Sequence, residues 1–128
     1  SYHNGLLKIN NDEISLFTNT NTGADGLQNQ ELVTPTYVSV RVNGPAFDKT
    51  GNIWMTNGLV TKPLKVLKTN GQWQSYNLSN VITDIVAEQY CPLVVDKNDT
   101  KWISSFRANG LTAFNEKYNN KFILFFFM

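Results

Sequence analysis

The stretch Phe47-Asp48-Lys49-Thr50-Gly51-Asn52-Ile53-Trp54-Met55-Thr56 returns 48 residues later as Val95-Asp96-Lys97-Asn98-Asp99-Thr100-Lys101-Trp102-Ile103-Ser104. Asp, Lys and Trp are identical in the two copies, and an apolar residue precedes each Asp and follows each Trp. A second stretch keeps nearly the same register: Leu64-Lys65-Val66-Leu67 corresponds to Leu111-Thr112-Ala113-Phe114 at an offset of 47, and to Leu6-Leu7-Lys8-Ile9 near the N-terminus. Self-similarity at a period of roughly 20 to 50 residues is the signature of a repeat architecture.

Punctuation and period show what one repeat contains. Val38, Val40 and Val42 alternate with Ser39 and Arg41, the two-residue period of a half-buried strand. Asp-Lys-Thr-Gly-Asn then supplies a turn, in which Asp48 bonds its own downstream backbone and Gly51 accepts positive φ without steric cost. Further strands are expected at 53–56, 64–68 and 72–76, separated by Asn57-Gly58 and Thr69-Asn70-Gly71, with Trp73 as a bulky anchor. The second copy is punctuated by Asn98-Asp99, Asn109-Gly110 and Tyr118-Asn119-Asn120, and two more strands are expected at 6–10 and 13–17. Four short antiparallel strands in roughly 48 residues is the size of a β-propeller blade. The expectation is an all-β chain of about two and a half four-stranded antiparallel blades, an incomplete ring: a half blade at 1–18, a full blade at 37–78 and a second blade with an apolar tail at 79–128.

Composition narrows the chemistry. Leu, Ile, Val and Phe supply 37 of the 128 residues, enough for a single folded domain with a sizeable core. Eleven basic and ten acidic residues, only two of them Arg, leave no electrostatic footprint for nucleic acid. One cysteine, Cys91, excludes an internal disulfide, a multi-cysteine zinc site and a Cys-x-x-Cys pair, and reads as a buried structural thiol. One histidine, His3, sits near the chain end, where no role is expected. No run approaches the roughly 18 apolar residues of a membrane span. The sequence opens at Ser1 without a basic or apolar leader, so a targeting peptide is expected outside these residues.

The pattern apolar-Asp-Lys-x-Gly-Asn-Ile-Trp, followed by Gly58-Leu59 and an aromatic-ended strand at Tyr76, resembles the repeat of two-component-regulator propellers, found in periplasmic sensor regions of Bacteroidetes hybrid histidine kinases. The stretch from Gly51 to Tyr76, with Trp54-Met55-Thr56-Asn57 leading into Lys62-Pro63-Leu64, is also similar to propeller modules associated with type IX secretion. The second copy departs from the pattern where Asp99-Thr100 replaces Gly-Asn and where Phe106-Arg107-Ala108 is inserted ahead of Asn109-Gly110. The resemblance implies a periplasmic, cell-surface or secreted binding, sensory or scaffold module without cofactor, its ligand a glycan or a protein. The alternative it implies is an enzyme of the metal-dependent lyase type, since some propellers with similar repeats hold a metal at the channel mouth.

Asp48, Gly51, Trp54, Asp96 and Trp102 read as structural: turn chemistry for the two carboxylates, packing between blades for the two tryptophans, with a stacking platform under a ligand as the other reading of the indoles. Neither Asp is followed by the alternating ligands and terminal Glu of a Ca²⁺ loop. Asp12-Glu13 and the pair Asp96 and Asp99 are expected in solvated turns with ordinary acidity. Rigid blades present variable loops, so ligand contacts are expected on one loop face carrying Asn57, Lys62, Phe106 and Arg107, bordered by the polar connection 18–36. Enzyme activity is not expected, because one His and four scattered Glu offer little to assemble into a metal cage. The tail 122–128, apolar and free of charge and proline, is expected to pair at a sheet edge or to be buried against a second copy. The chain is accordingly expected to be a homo-oligomer or part of a longer propeller.

Overall fold

The computed structural model describes residues 3–33, 37–107, 109–118 and 121–125, the last of these by backbone alone. Three antiparallel sheets follow one another along the chain. β1 (Leu6–Asn10) and β2 (Glu13–Phe17) form a hairpin; β3 (Val42–Phe47), β4 (Ile53–Asn57), β5 (Leu64–Leu67) and β6 (Trp73–Tyr76) form a four-stranded meander; β7 (Val94–Val95), β8 (Lys101–Ser104), β9 (Leu111–Asn115) and β10 (Lys121–Phe125) form a second. Both meanders keep chain order across the sheet. Two short 3-10 turns, Ile85–Ala87 and Glu116–Tyr118, are the helical segments among the described residues, and no helix there is long and apolar enough to cross a membrane.

The central strands of the middle sheet, β4 and β5, are buried on both faces, and apolar residues fill six of their nine positions. Alternation along β4 sends Trp54 into a core shared with the second meander, where Leu64, Val66, Leu78, Ile82, Tyr90, Ile103 and Phe114 meet it, and Met55 into a core shared with the hairpin, with Leu6, Leu27, Val40 and Leu67. The Leu-x-x-apolar repeat keeps its register in space. Leu6 pairs with Phe17 as Leu64 pairs with Tyr76, each pair facing the sheet that follows.

The strands at Leu6–Asn10, Glu13–Phe17, Ile53–Asn57, Leu64–Leu67 and Trp73–Tyr76 lie within a residue of their expected positions. The first strand of the middle sheet does not. Val38 is exposed, Val40 makes an isolated parallel bridge to Asn4, and β3 begins only at Val42 and runs through Gly44-Pro45 with a bulge between Asn43 and Ala46. Proline is tolerated there because β3 is an edge strand, whose outer N–H groups have no ladder to join.

Other expectations shift as well. His3 is tied down: its Nδ1 lies 2.9 Å from the Ser39 hydroxyl and its carbonyl accepts the Val40 amide. Cys91 is half-buried rather than buried, with its amide donating to the Ser104 carbonyl. The connection after β2 lies on the middle sheet, with Thr22, Leu27 and Gln30 buried; residues 34–36 within it lie outside the described set. Lys121–Phe125 pairs with β9 as an edge strand, while 126–128, and the turn expected at Asn119-Asn120, lie outside the described residues.

Candidate functional site

The repeated turn is the same object in both meanders. Asp48 Oδ1 accepts the amides of Thr50 and Asn52, each at 3.0 Å, and Oδ2 accepts the Trp54 indole N–H at 2.9 Å. Asp96 does likewise, taking the amides of Asn98 at 2.8 Å and Thr100 at 3.0 Å on Oδ1 and the Trp102 indole at 2.9 Å on Oδ2. Gly51 (φ 90°) and Asp99 (φ 60°) occupy the equivalent left-handed position. Aspartate enters that region more readily than most side chains, so the second repeat dispenses with glycine. The substitution adds a contact, because Asp99 Oδ1 accepts the Lys49 amide at 3.1 Å and joins the two turns. Burial alone would raise the Asp48 carboxyl; the hydrogen bonds from Trp54, Asn52 and Thr50 outweigh it and hold the group at about 2. The Trp102 indole lowers Asp96 as well, against the ordinary acidity expected of a solvated turn.

Trp54 is buried to 1% exposure between the two meanders. Tyr76 stacks on it at 5.8 Å, Phe114 lies 6.0 Å away, and Lys101 Nζ stands 4.0 Å over the ring while pairing with Glu116 at 2.6 Å. That is a packing role. Trp102 carries the same clasp but is only half-buried.

At the other end of the sheets the loops 58–63 and 105–110 meet the connections 18–41 and 77–93. Leu59 donates its amide to Glu88 and accepts that of Glu31, while Gly58 donates to Arg41. Glu88, 1% exposed, organises this end: Oε1 accepts the amides of Gln89 and Arg107, each at 3.0 Å, and Oε2 accepts Asn109 Nδ2 at 2.8 Å. Asn109 also accepts the Thr83 amide and hydroxyl and donates to the Thr83 carbonyl. The Phe106 amide donates to Gln89, whose side chain accepts Arg41 Nη1 at 2.8 Å. Both arginines of the chain thus converge on 87–89, and Phe106, next to Arg107 in the chain, is 56% exposed. A hollow of about 60 Å³ opens between Thr83, Asp84, Glu88, Arg107 and Asn109.

Of the expected loop residues, Phe106 and Arg107 stand together on this face and Lys62 is exposed on the 58–63 loop. Asn57 is withdrawn from it. Fully buried, it accepts the Gln28 amide at 2.7 Å and donates to the Gln28 carbonyl at 3.1 Å, so it fastens the long connection instead of meeting a ligand. Lys65 completes that fastening, donating from Nζ to Gln28 Oε1 at 2.6 Å and to the Ser75 hydroxyl at 2.9 Å. Burial first, and the charge of Lys62 second, lower its ammonium to about 7, although Glu31 and Asp25 pull the other way. Glu88, Arg41 and Gln89 carry no local signal in the sequence, since each acts across more than 17 positions of chain. Asn109 reads as half of a turn dipeptide, which hides its side-chain role.

A larger cleft of about 490 Å³ lies at the turn end, between hairpin and middle sheet, with Phe17, Ile53 and Leu67 as its floor and Lys8 and Lys68 at its rim. Among the described residues no three His, Cys, Asp or Glu side chains converge as a metal site would require.

No family model and no curated protein matches the chain. Among solved structures it is similar to PorZ of Porphyromonas gingivalis, described as an essential bacterial surface component of the type-IX secretion system, with a TM-score of 0.72 and 18% identity over 96% of this chain. The chain spans 17% of the length of that protein. At this identity the likeness is one of fold.

Proposed function

We propose that the two meanders and the hairpin are blades of a β-propeller, and that the chain is a non-catalytic, extracytoplasmic binding or scaffold module whose ligand face is the loop end around Phe106 and Arg107. The surface location of PorZ and its similar fold support the extracytoplasmic reading. The observation that carries the binding face is that Phe106 is solvent-exposed while the backbone beneath it is held, its own amide by the Gln89 carbonyl and that of Arg107 by the buried Glu88 carboxylate. A fixed aromatic beside a guanidinium is a low-entropy contact for a sugar ring or a peptide side chain. Several charged groups of the two meanders are spent internally: Asp48 and Asp96 of the turns on indoles, Lys101 on Trp54 and Glu116, Lys65 on the long connection.

A bacterial glycan array and a displayed peptide library probe both ligand classes. The wild type should retain members of one of them, and Phe106→Ala/Arg107→Ala should weaken that binding at least about tenfold, the loss of roughly 1.4 kcal/mol, with an unchanged melting temperature. Retention of nothing by the wild type, equal binding by the double variant, or turnover of any array glycan would contradict the proposal.

A further inference from the structure

Five Asn-Gly steps punctuate the chain, at 4–5, 43–44, 57–58, 70–71 and 109–110. In a flexible peptide each is prone to rearrange spontaneously, because glycine leaves the following amide unhindered for attack on the asparagine side chain. The fold restrains four of them. Asn57 is fully buried and its carboxamide is held from both ends by Gln28. Asn109, also buried, is held by Thr83 and Glu88. Asn43 lies in β3 and donates from Nδ2 to the Tyr90 carbonyl at 2.6 Å. Asn4 is exposed, but the amide that would attack it is engaged: Gly5 donates to the Val40 carbonyl at 3.1 Å and is buried so closely against the Phe17 carbonyl that no side chain fits there.

Asn70 is differently placed. It and Gly71 are both exposed in the turn between β5 and β6, and nothing beyond the chain neighbours comes within 4 Å of the place a Cβ on Gly71 would take. Asn70 Oδ1 accepts the Gln72 amide at 3.0 Å, a bond that spans Gly71 and lays the carboxamide along the peptide unit that attacks it. We propose that Asn70 is the site at which this chain modifies itself. The Gly71 nitrogen attacks Asn70 Cγ and gives its proton to solvent hydroxide, and the Cγ–Nδ2 bond breaks, with a proton from water, to release ammonia. Water then opens the succinimide to aspartate or, by cleaving the bond between the Gly71 nitrogen and the Asn70 main-chain carbonyl, to isoaspartate. The isoaspartyl product carries the main chain through Cβ and Cγ, one carbon longer, in a turn closed by the Lys68 amide on Gln72 at 2.8 Å and the Gly71 amide on Lys68 at 2.9 Å. Leu67 and Trp73, the pair beside that turn, line the core shared with the hairpin, so the change reaches the contact between two sheets.

This chemistry is independent of the ligand face and is tested by peptide mapping of the 128-residue chain, held at mildly alkaline pH either folded or in denaturing urea. Trypsin places the five steps on five separate peptides, and fragmentation locates each carboxamide that has become a carboxylate. Asn70 should convert in the folded chain at close to its rate in urea, and the other four at least about tenfold below theirs, since each must first open locally. The isoaspartyl chain, separated from the unmodified one, should lose hydrogen-exchange protection at the Lys68 amide. Suppression of Asn70 by folding to the same extent as the others, conversion of any of the four in the folded chain at its urea rate, or an isoaspartyl chain that still protects Lys68 would overturn the proposal.

Discussion

Lys65 has no carboxylate partner in its two hydrogen bonds, and its ammonium is accommodated by the Gln28 amide oxygen and the Ser75 hydroxyl, which in turn donates to the Asp25 carbonyl. Its folded value of about 7 lies below its ordinary value of 10.5. Between those values the unfolded chain holds a proton that the folded chain has released, so stability rises with pH through that window and gains nothing from this group below it. Denaturant unfolding followed from pH 6.5 upward should therefore show the wild type gaining stability on Lys65→Met by at most about 1.4 kcal/mol per pH unit. Parallel curves would show that Lys65 keeps an ordinary acidity. Asp48 gives the same slope at low pH but a favourable contribution at neutrality: its depressed carboxyl contributes stability above pH 3.8 that is lost as pH falls toward about 2.

Among the elements, the 105–110 loop depends most on a residue remote in sequence. Glu88→Ala would leave two backbone amides and the Asn109 side chain without their acceptor in a buried site. It should cost about 3 kcal/mol and unprotect the amides of Phe106 and Arg107 in hydrogen exchange. Unchanged protection there would mean that the loop holds itself. The strands were legible because local pattern decides them. Correspondence to the later copies set β1 and β2, a Trp-centred apolar run set β4, and the Asp-Lys and Asn-Gly turns set the boundaries. β3 was not legible, because Gly44-Pro45 reads as a break while the alternating valines before it lie in a crossing segment tied to His3, Gly5 and Gln30 instead of a sheet. The binding face was half legible. An inserted Phe-Arg stands out against a repeat, whereas the buried roles of Asn57 and Glu88 follow from contacts 29 and 19 positions away in the chain.

At the scale of the molecule, each sheet is completed by its neighbours. The hairpin contributes Leu6 and Phe17 to the core under the middle sheet, where Phe17 meets Trp73 edge-on at 5.6 Å, and the second meander contributes Ile103 and Phe114 to the core above it. Repeat arrays gain their stability from such nearest-neighbour interfaces. Trp54 is the shared element of the interface between the two meanders, so that losing it costs both sheets. Trp54→Ala should destabilise the chain by about 3 to 5 kcal/mol. Hydrogen exchange of this variant, read at the amides of β4 and β9 together, is the direct test. Protection should fall in β3–β6 and β7–β9 to the same extent; loss confined to β3–β6, with β8 and β9 protected as in the wild type, would show that Trp54 serves its own sheet alone.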